Sequence, residues 1–238
     1  MLWTQLFDSS DPHGNLRTGS KVLTDGRVRI AGNTKMFTAT VVLRLVGESR
    51  ISLDSPIKDY LSGLVRGEGV DGRNSTVGQL LQHASGLADY DEEVVRDYLT
   101  KQRHRSFEPR ELVESGLGKK ALFAPLAAAG ATATPTTSWP ASSCRRTPAA
   151  PSGDQTIKSR HPHGYFAPDA DTPCTDVTEQ DPSAGWAAGG LIGAPSDLNR
   201  FLTALLDGEL LEPAQLKEMY RRAGGGRVRR WPAGRPAC

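Results

Sequence analysis

Arg29-Ile30-Ala31-Gly32-Asn33-Thr34-Lys35-Met36-Phe37-Thr38-Ala39 is the stretch on which the fold turns. The alternation Val28-Arg29-Ile30 at its start predicts a short strand, and the residues beyond predict a helix from about Thr34 to Glu48. Phe37, Val41 and Leu45, with Val42 and Val46, recur at three- and four-residue spacing and give that helix a wide apolar stripe for a core. Gly47 loosens its far end. Lys35 stands near the head, three residues after Gly32. Residues three apart on a helix share a face, so whatever position 32 carries lies beside the Lys35 amine.

Outward from this stretch, further helices are expected. Thr76 to His83 is short, with Thr76 in the capping region, and Glu92 to Lys101 and Pro109 to Ser115 follow. Pro195-Ser196-Asp197 opens an amphipathic helix through Leu206, with Leu198, Phe201, Leu202 and Leu205 on one side and Gly208 as its stop. Pro213 opens another. From Leu126 to Gly153 the chain is almost wholly Ala, Thr, Ser and Pro, with neither a 3.6 nor a 2.0 period, and no packed element is expected there. The organisation predicted is one domain over residues 1–222 with an aberrant or disordered insert at 126–153, then a disordered basic tail at 223–238.

Composition narrows the function classes. The formal charge is +2 over 238 residues, but Arg221 to Cys238 hold six Arg and no acid, which leaves the rest mildly acidic. A fold that grips nucleic acid needs a surplus of Lys and Arg on a structured face, so no nucleic-acid partner is expected. Three distant cysteines, Cys144, Cys174 and Cys238, support neither a disulfide framework nor a zinc site, and no metal or cofactor is expected. The start, Met1-Leu2-Trp3-Thr4-Gln5, has no basic segment followed by an apolar run, and no stretch is apolar enough to span a membrane. As written, the chain is expected in the cytoplasm.

Weaker signals have ordinary explanations. Gly67-Glu68-Gly69-Val70-Asp71-Gly72 fits the dinucleotide pattern G-x-G-x-x-G, but no clear strand precedes it and no helix starts inside it, so a surface turn is expected. His161-Pro162-His163 and Cys174 lack a fourth close ligand and read as a structural loop. Glu92-Glu93 suits a helix N-terminal turn. No Gly-x-Ser-x-Gly elbow and no His-Glu-x-x-His helix occurs, which removes two common hydrolase chemistries.

The segment Arg29 to Ala39 resembles the active-site helix start of the serine β-lactamase and D-alanyl-D-alanine carboxypeptidase family, where a Ser-x-x-Lys tetrad supplies the nucleophile and its partner. The likeness continues through Gly47-Glu48, Ile51-Ser52-Leu53-Asp54-Ser55-Pro56 and Tyr60-Leu61. Thr76-Val77-Gly78-Gln79-Leu80-Leu81-Gln82-His83-Ala84-Ser85-Gly86-Leu87 is similar to the family's helix and turn ending in His-Thr-Ser-Gly-Leu, with Ala84 for Thr. Trp186 to Leu206 resembles its later half, and the matched pieces cover about two thirds of the chain. The resemblance implies an α+β fold, an antiparallel sheet flanked by helices, and an acyl-serine route to opening a β-lactam or cleaving a D-Ala-D-Ala amide. Small-molecule or peptide ligands of those kinds are the partners it implies, while the oligomeric state stays open. Intact relatives are often exported, which makes a misplaced start compatible with it.

Two departures matter. Gly32 stands where the family has Ser, so the catalytic positions to watch are Lys35 and Gly32, the position of the lost nucleophile. Gly for Ser at a helix start costs only a few tenths of a kcal/mol, but it removes the reacting oxygen. Thr34, one residue before Lys35, lies on a different side of the helix and is no substitute. Loss of the nucleophile in a serine hydrolase costs on the order of a million-fold in turnover, roughly 8 kcal/mol of barrier. The second departure is that no Tyr-x-Asn or Ser-x-Asn follows Phe123-Ala124-Pro125, and no Lys-Thr-Gly or His-x-Gly follows residue 222. The C-terminal strands that would complete the sheet are missing too, so an incomplete sheet is expected, and both odd segments read as out-of-frame translation of GC-rich coding sequence.

Overall fold

The computed structural model describes residues 13–21, 23–67, 70–90, 99, 101–122, 154–169 and 171–220. Within them the fold is α+β, helices packed around small antiparallel ladders. Strand β1 (His13–Asn15) pairs with β2 (Ser20–Lys21), β3 (Val28–Arg29) with β8 (Ile192–Gly193), β4 (Arg66–Gly67) with β5 (Val70–Asp71), and β6 (Tyr165–Phe166) with β7 (Thr175–Asp176). Each ladder has two strands, which is the incomplete sheet that the sequence predicts. The β3–β8 ladder joins segments far apart in sequence, with Val28 opposite Gly193 and Arg29 opposite Ile192.

A 3-10 turn at Ala31–Asn33 leads from β3 into α1 (Thr34–Gly47). This helix is buried on two sides. Val42 is fully buried in a cluster with Ile57, Val65, Val77, Leu80 and Leu117, against which Leu45 and Val46 also pack. Leu43, outside the predicted stripe, turns to a separate cluster with Leu205 and Leu211. Phe37 stacks on Phe201 with ring centroids 3.9 Å apart. A stripe drawn for one core therefore misses the residue that serves the second, because helices pack on both flanks of α1.

Helix α2 (Val77–Leu81) begins with the capping box that Thr76 foreshadows. The Gln79 N–H donates to Thr76 Oγ1 at 3.2 Å, and the Thr76 N–H donates to Gln79 Oε1 at 2.8 Å. Helix α3 (Pro109–Leu117) runs one short step past the predicted Ser115 and buries Leu112, which joins Leu99, Phe107, Phe166 and Val177 in a second core. A four-residue helix, α4 (Trp186–Gly189), precedes β8. Helix α5 (Pro195–Leu206) has the predicted bounds, and Gly208 follows it at φ +77°, a conformation that favours glycine. Helix α6 (Pro213–Met219) packs on α1.

In the glycine-rich stretch at 67–72, Gly67 of β4 pairs with Val70 of β5, and no helix starts among its described residues. A Cβ on Gly67 would lie 2.4 Å from the Leu117 carbonyl oxygen, so the close approach of α3 accounts for that glycine. Of the helix expected at Glu92 to Lys101, only Leu99 and Lys101 are described, and Leu99 is helical. The segment at 126–153 and the tail at 223–238 lie outside the described residues. Among the described residues, no helix is long and apolar enough to cross a membrane.

Candidate active site

Three polar side chains at the head of α1 are fastened to one short backbone segment. Lys35 Nζ donates to the Ala188 carbonyl at 3.1 Å, Thr38 Oγ1 donates to the Ala187 carbonyl at 2.6 Å, and the Leu191 N–H donates to Thr34 Oγ1 at 3.3 Å. This segment is itself tightly turned. Trp186 sits at φ +34°, and a Cβ on Gly190 would lie 2.8 Å from the Trp186 carbonyl oxygen. Its other side is held by Tyr90, whose hydroxyl donates to the Ala184 carbonyl at 2.7 Å, and by the Trp186 indole N–H, which donates to the Phe107 carbonyl at 2.9 Å. Residues 184–191 thus couple α1 to the second core.

Position 32 opens beside Lys35. Among the described residues, an ideal Cβ at Gly32 meets one atom within 4 Å, Lys35 Nζ at 3.7 Å. One bond further, a hydroxyl would come within hydrogen-bond reach of the amine. Gly32 is not among the glycines with positive φ, so its backbone suits any L-residue, whereas its neighbour Ala31 is left-handed at φ +47°. Thr34 is buried and its hydroxyl accepts from Leu191, which keeps it out of this opening, as its place in the helix predicts.

A second group of residues acts on Lys35 through charge. Burial lowers the Lys35 pKa, and the Asp89 carboxylate works in the opposite direction. Burial pushes the Asp89 carboxyl up to about 6, against the pull of the Lys35 ammonium. His83 is shifted down by burial and then by the Lys35 charge, so it favours the neutral imidazole. Its backbone is strained at φ +58°, and its Nδ1 is buried without a hydrogen-bond partner among the described residues. Tyr90 is held well above its ordinary pKa by burial and by Asp89, so it remains a neutral donor.

The structure therefore brings Gly32 and Lys35 together as their spacing predicts. Asp89, Thr38 and the Ala187 and Ala188 carbonyls complete the surroundings, and sequence reasoning did not single them out. Asp89 had a signal available, since Asp89-Tyr90 follows the His83 to Leu87 motif almost directly. The carbonyls had none, because backbone acceptors carry no residue identity. His163, read as part of a loop, places its Nδ1 2.6 Å from Asp176 Oδ2, and no group of three or more potential metal ligands converges among the described residues.

A lysine near the head of a helix thus stands beside a glycine whose backbone accepts any side chain, on an α+β frame. The family model described as Beta-lactamase matches residues 4–236, and the chain belongs to that family. A D-stereospecific amidohydrolase from Streptomyces sp. is similar with a TM-score of 0.71 and 32% identity, over 82% of this chain and 65% of that one. A penicillin-binding protein from Bacillus halodurans is similar in fold, with a TM-score of 0.62 and 21% identity over 86% of this chain and 68% of that one. Penicillin-binding protein 4 of Amycolatopsis lactamdurans is 37% identical over 71 residues, 30% of this chain and 19% of that protein. The chain thus spans about two thirds of the Streptomyces enzyme and about a fifth of the Amycolatopsis protein.

Proposed function

We infer that this chain is a β-lactamase-related serine hydrolase that has lost turnover with its nucleophile while keeping the frame around Lys35. One observation carries the reading: a Cβ at position 32 would face Lys35 Nζ at 3.7 Å, and Gly32 has no side chain to place there. In the intact arrangement a hydroxyl at 32 would give its proton towards the Lys35 amine and attack an acyl carbonyl, with the positive end of α1 favouring the alkoxide. Here Lys35 has no alcohol to activate. The likeness to an amidohydrolase named for its D-stereospecificity makes a D-configured amide, alongside β-lactams and D-Ala-D-Ala peptides, the substrate class of the ancestral site. Incubation of the purified chain with a labelled penicillin tests this: no covalent label is expected, and an ester adduct overturns it.

The genetic code permits off-frame translation of the segment at 126–153. Thr132-Ala133-Thr134 is encoded as ACN-GCN-ACN. Read from the last base of the preceding codon, the same bases become NAC-NGC-NAC, a set that includes Tyr-Ser-Asn. Further on, Ser138-Trp139-Pro140 gives NTG-GCC in that frame, which is Leu, Met or Val followed by Ala. A Tyr-x-Asn motif and an aliphatic pair thus fit the bases beneath a run that has no periodicity of its own. The nucleotide sequence decides the matter, for any third base that excludes TAC-NGC-AAC rules this frame out as the source of a Tyr-x-Asn.

A second reading is a binding module that recognises a β-lactam or a peptide carboxylate without acylation. The intact fastening of Lys35, Thr38 and Thr34 favours it, because a recognition frame persists without the reactive atom. Saturable, reversible binding of a penicillin by calorimetry supports the module. Its absence leaves a decayed gene product.

A further inference from the structure

Lys35 is held from one side and approachable from the other. On the inner side its Nζ donates to the Ala188 carbonyl at 3.1 Å, next to the Ala187 carbonyl that Thr38 Oγ1 fixes at 2.6 Å. On the outer side lies Gly32, which is exposed to solvent and carries no side chain. An ideal Cβ at Gly32 serves as a carbon probe of that approach. Among the described residues it touches one atom, Lys35 Nζ at 3.7 Å, an ordinary van der Waals contact. A carbon arriving from solvent at that point therefore meets the amine first. The bond to Ala188 uses an N–H, which leaves the lone pair of the neutral amine for an incoming electrophile.

We propose that Lys35 is an acyl-acceptor lysine, modified on Nζ by small acyl phosphates that reach it past Gly32 directly from solvent. The proposal needs this open approach alone and holds whether or not position 32 once carried a nucleophile. The neutral amine attacks the carbonyl carbon of acetyl phosphate, and a C–N bond forms. The C–O bond to phosphate breaks, phosphate leaves with its electron pair, and the surplus proton on nitrogen passes to solvent. The products are an uncharged Nζ-acetyl amide and inorganic phosphate. Burial lowers the Lys35 pKa and enlarges the neutral fraction that reacts, while the Asp89 carboxylate opposes it. His83, which the Lys35 charge also reaches, favours the neutral imidazole and adds no opposing charge. Lys158 offers the contrast within the same chain: its side chain is 80% exposed, but its bond to Asp154 at 2.8 Å favours the ammonium.

The test treats the intact chain with acetyl phosphate at pH 7 and follows acetylation of each lysine by peptide mass spectrometry. Lys35 is expected to react several-fold faster than Lys158, and its lead narrows at pH 10, where Lys158 also gains neutral amine. In urea the two lysines react alike, which ties the lead to the fold. Gly32→Val sets a branched side chain against Nζ and slows Lys35 several-fold, while Lys158 keeps its rate. Lys35 reacting no faster than Lys158 at pH 7, a lead that survives in urea or stays undiminished at pH 10, or a Lys35 rate that Gly32→Val leaves unchanged overturns the proposal. Each of those failures leaves the lost-nucleophile reading of position 32 standing, since Gly32→Ser exposed to labelled penicillin decides that reading separately: a variant that takes no label sinks it, whatever the acetylation map shows.

Discussion

The head of α1 and the turn from His83 to Tyr90 both bear on Lys35, one through its own backbone and the other through charge, and they have fared differently. At the head of α1 the backbone at Gly32 tolerates any residue, so the Ser-to-Gly change that we propose there would remove chemistry at almost no structural cost. The turn keeps features that cost stability: a non-glycine at φ +58°, a desolvated imidazole and a carboxyl held up at about 6. Strain and desolvation of this kind persist only where surrounding packing enforces them. The contrast teaches that a reactive atom can vanish through one exposed choice of side chain, while the environment that tuned it is built into the core and remains.

Restoring the atom gives the largest effect. Gly32→Ser is expected to gain covalent labelling by a radiolabelled penicillin that the native chain lacks, read on a denaturing gel, because the frame at 35, 38 and 187–191 is already set. Next comes the core that holds the two regions together. Ile57 is fully buried, and Ile57→Ala is expected to cost about 3 kcal/mol in urea unfolding, with the midpoint falling and the slope unchanged. Thr76→Ala removes half of the capping box that starts the second region and is expected to cost about 1 kcal/mol by the same measurement.

The smallest effect is specific to the turn. The folded pKa of Asp89, about 6, lies above its ordinary 3.8, so its contribution favours folding at low pH and is lost as pH rises from about 4 through about 6. Asp89→Asn should flatten that part of the stability curve and leave the variant more stable at pH 7 by under about 1 kcal/mol, since the site is partly open to solvent. Thermal melts of both proteins at pH 4 and pH 7 check this. A stability difference between the two proteins that stays the same at pH 4 and pH 7 contradicts the shift assigned to Asp89.

Much of the frame was legible from residue patterns. The bounds of α1 and α5, the Thr76 cap and the Gly32–Lys35 adjacency follow from periodicity, capping chemistry and helical spacing, which are local. Leu43 was not legible, because a second helical layer on α1 arises only when α5 and α6 fold back on it. The raised pKa of Asp89 was not legible either, although its place after the His83 to Leu87 motif was, because the shift depends on burial in the folded chain.

The amino-acid sequence by itself determined the family, the helix that carries Lys35 and the glycine three residues before it, since each is written in residue identity and short-range spacing. Only the tertiary structure decided that the lysine is held by the Ala188 carbonyl, that a side chain at position 32 would face it, and that His83 and Asp89 bear on its charge. Those facts depend on desolvation and on contacts between segments far apart in the chain, which no local pattern encodes.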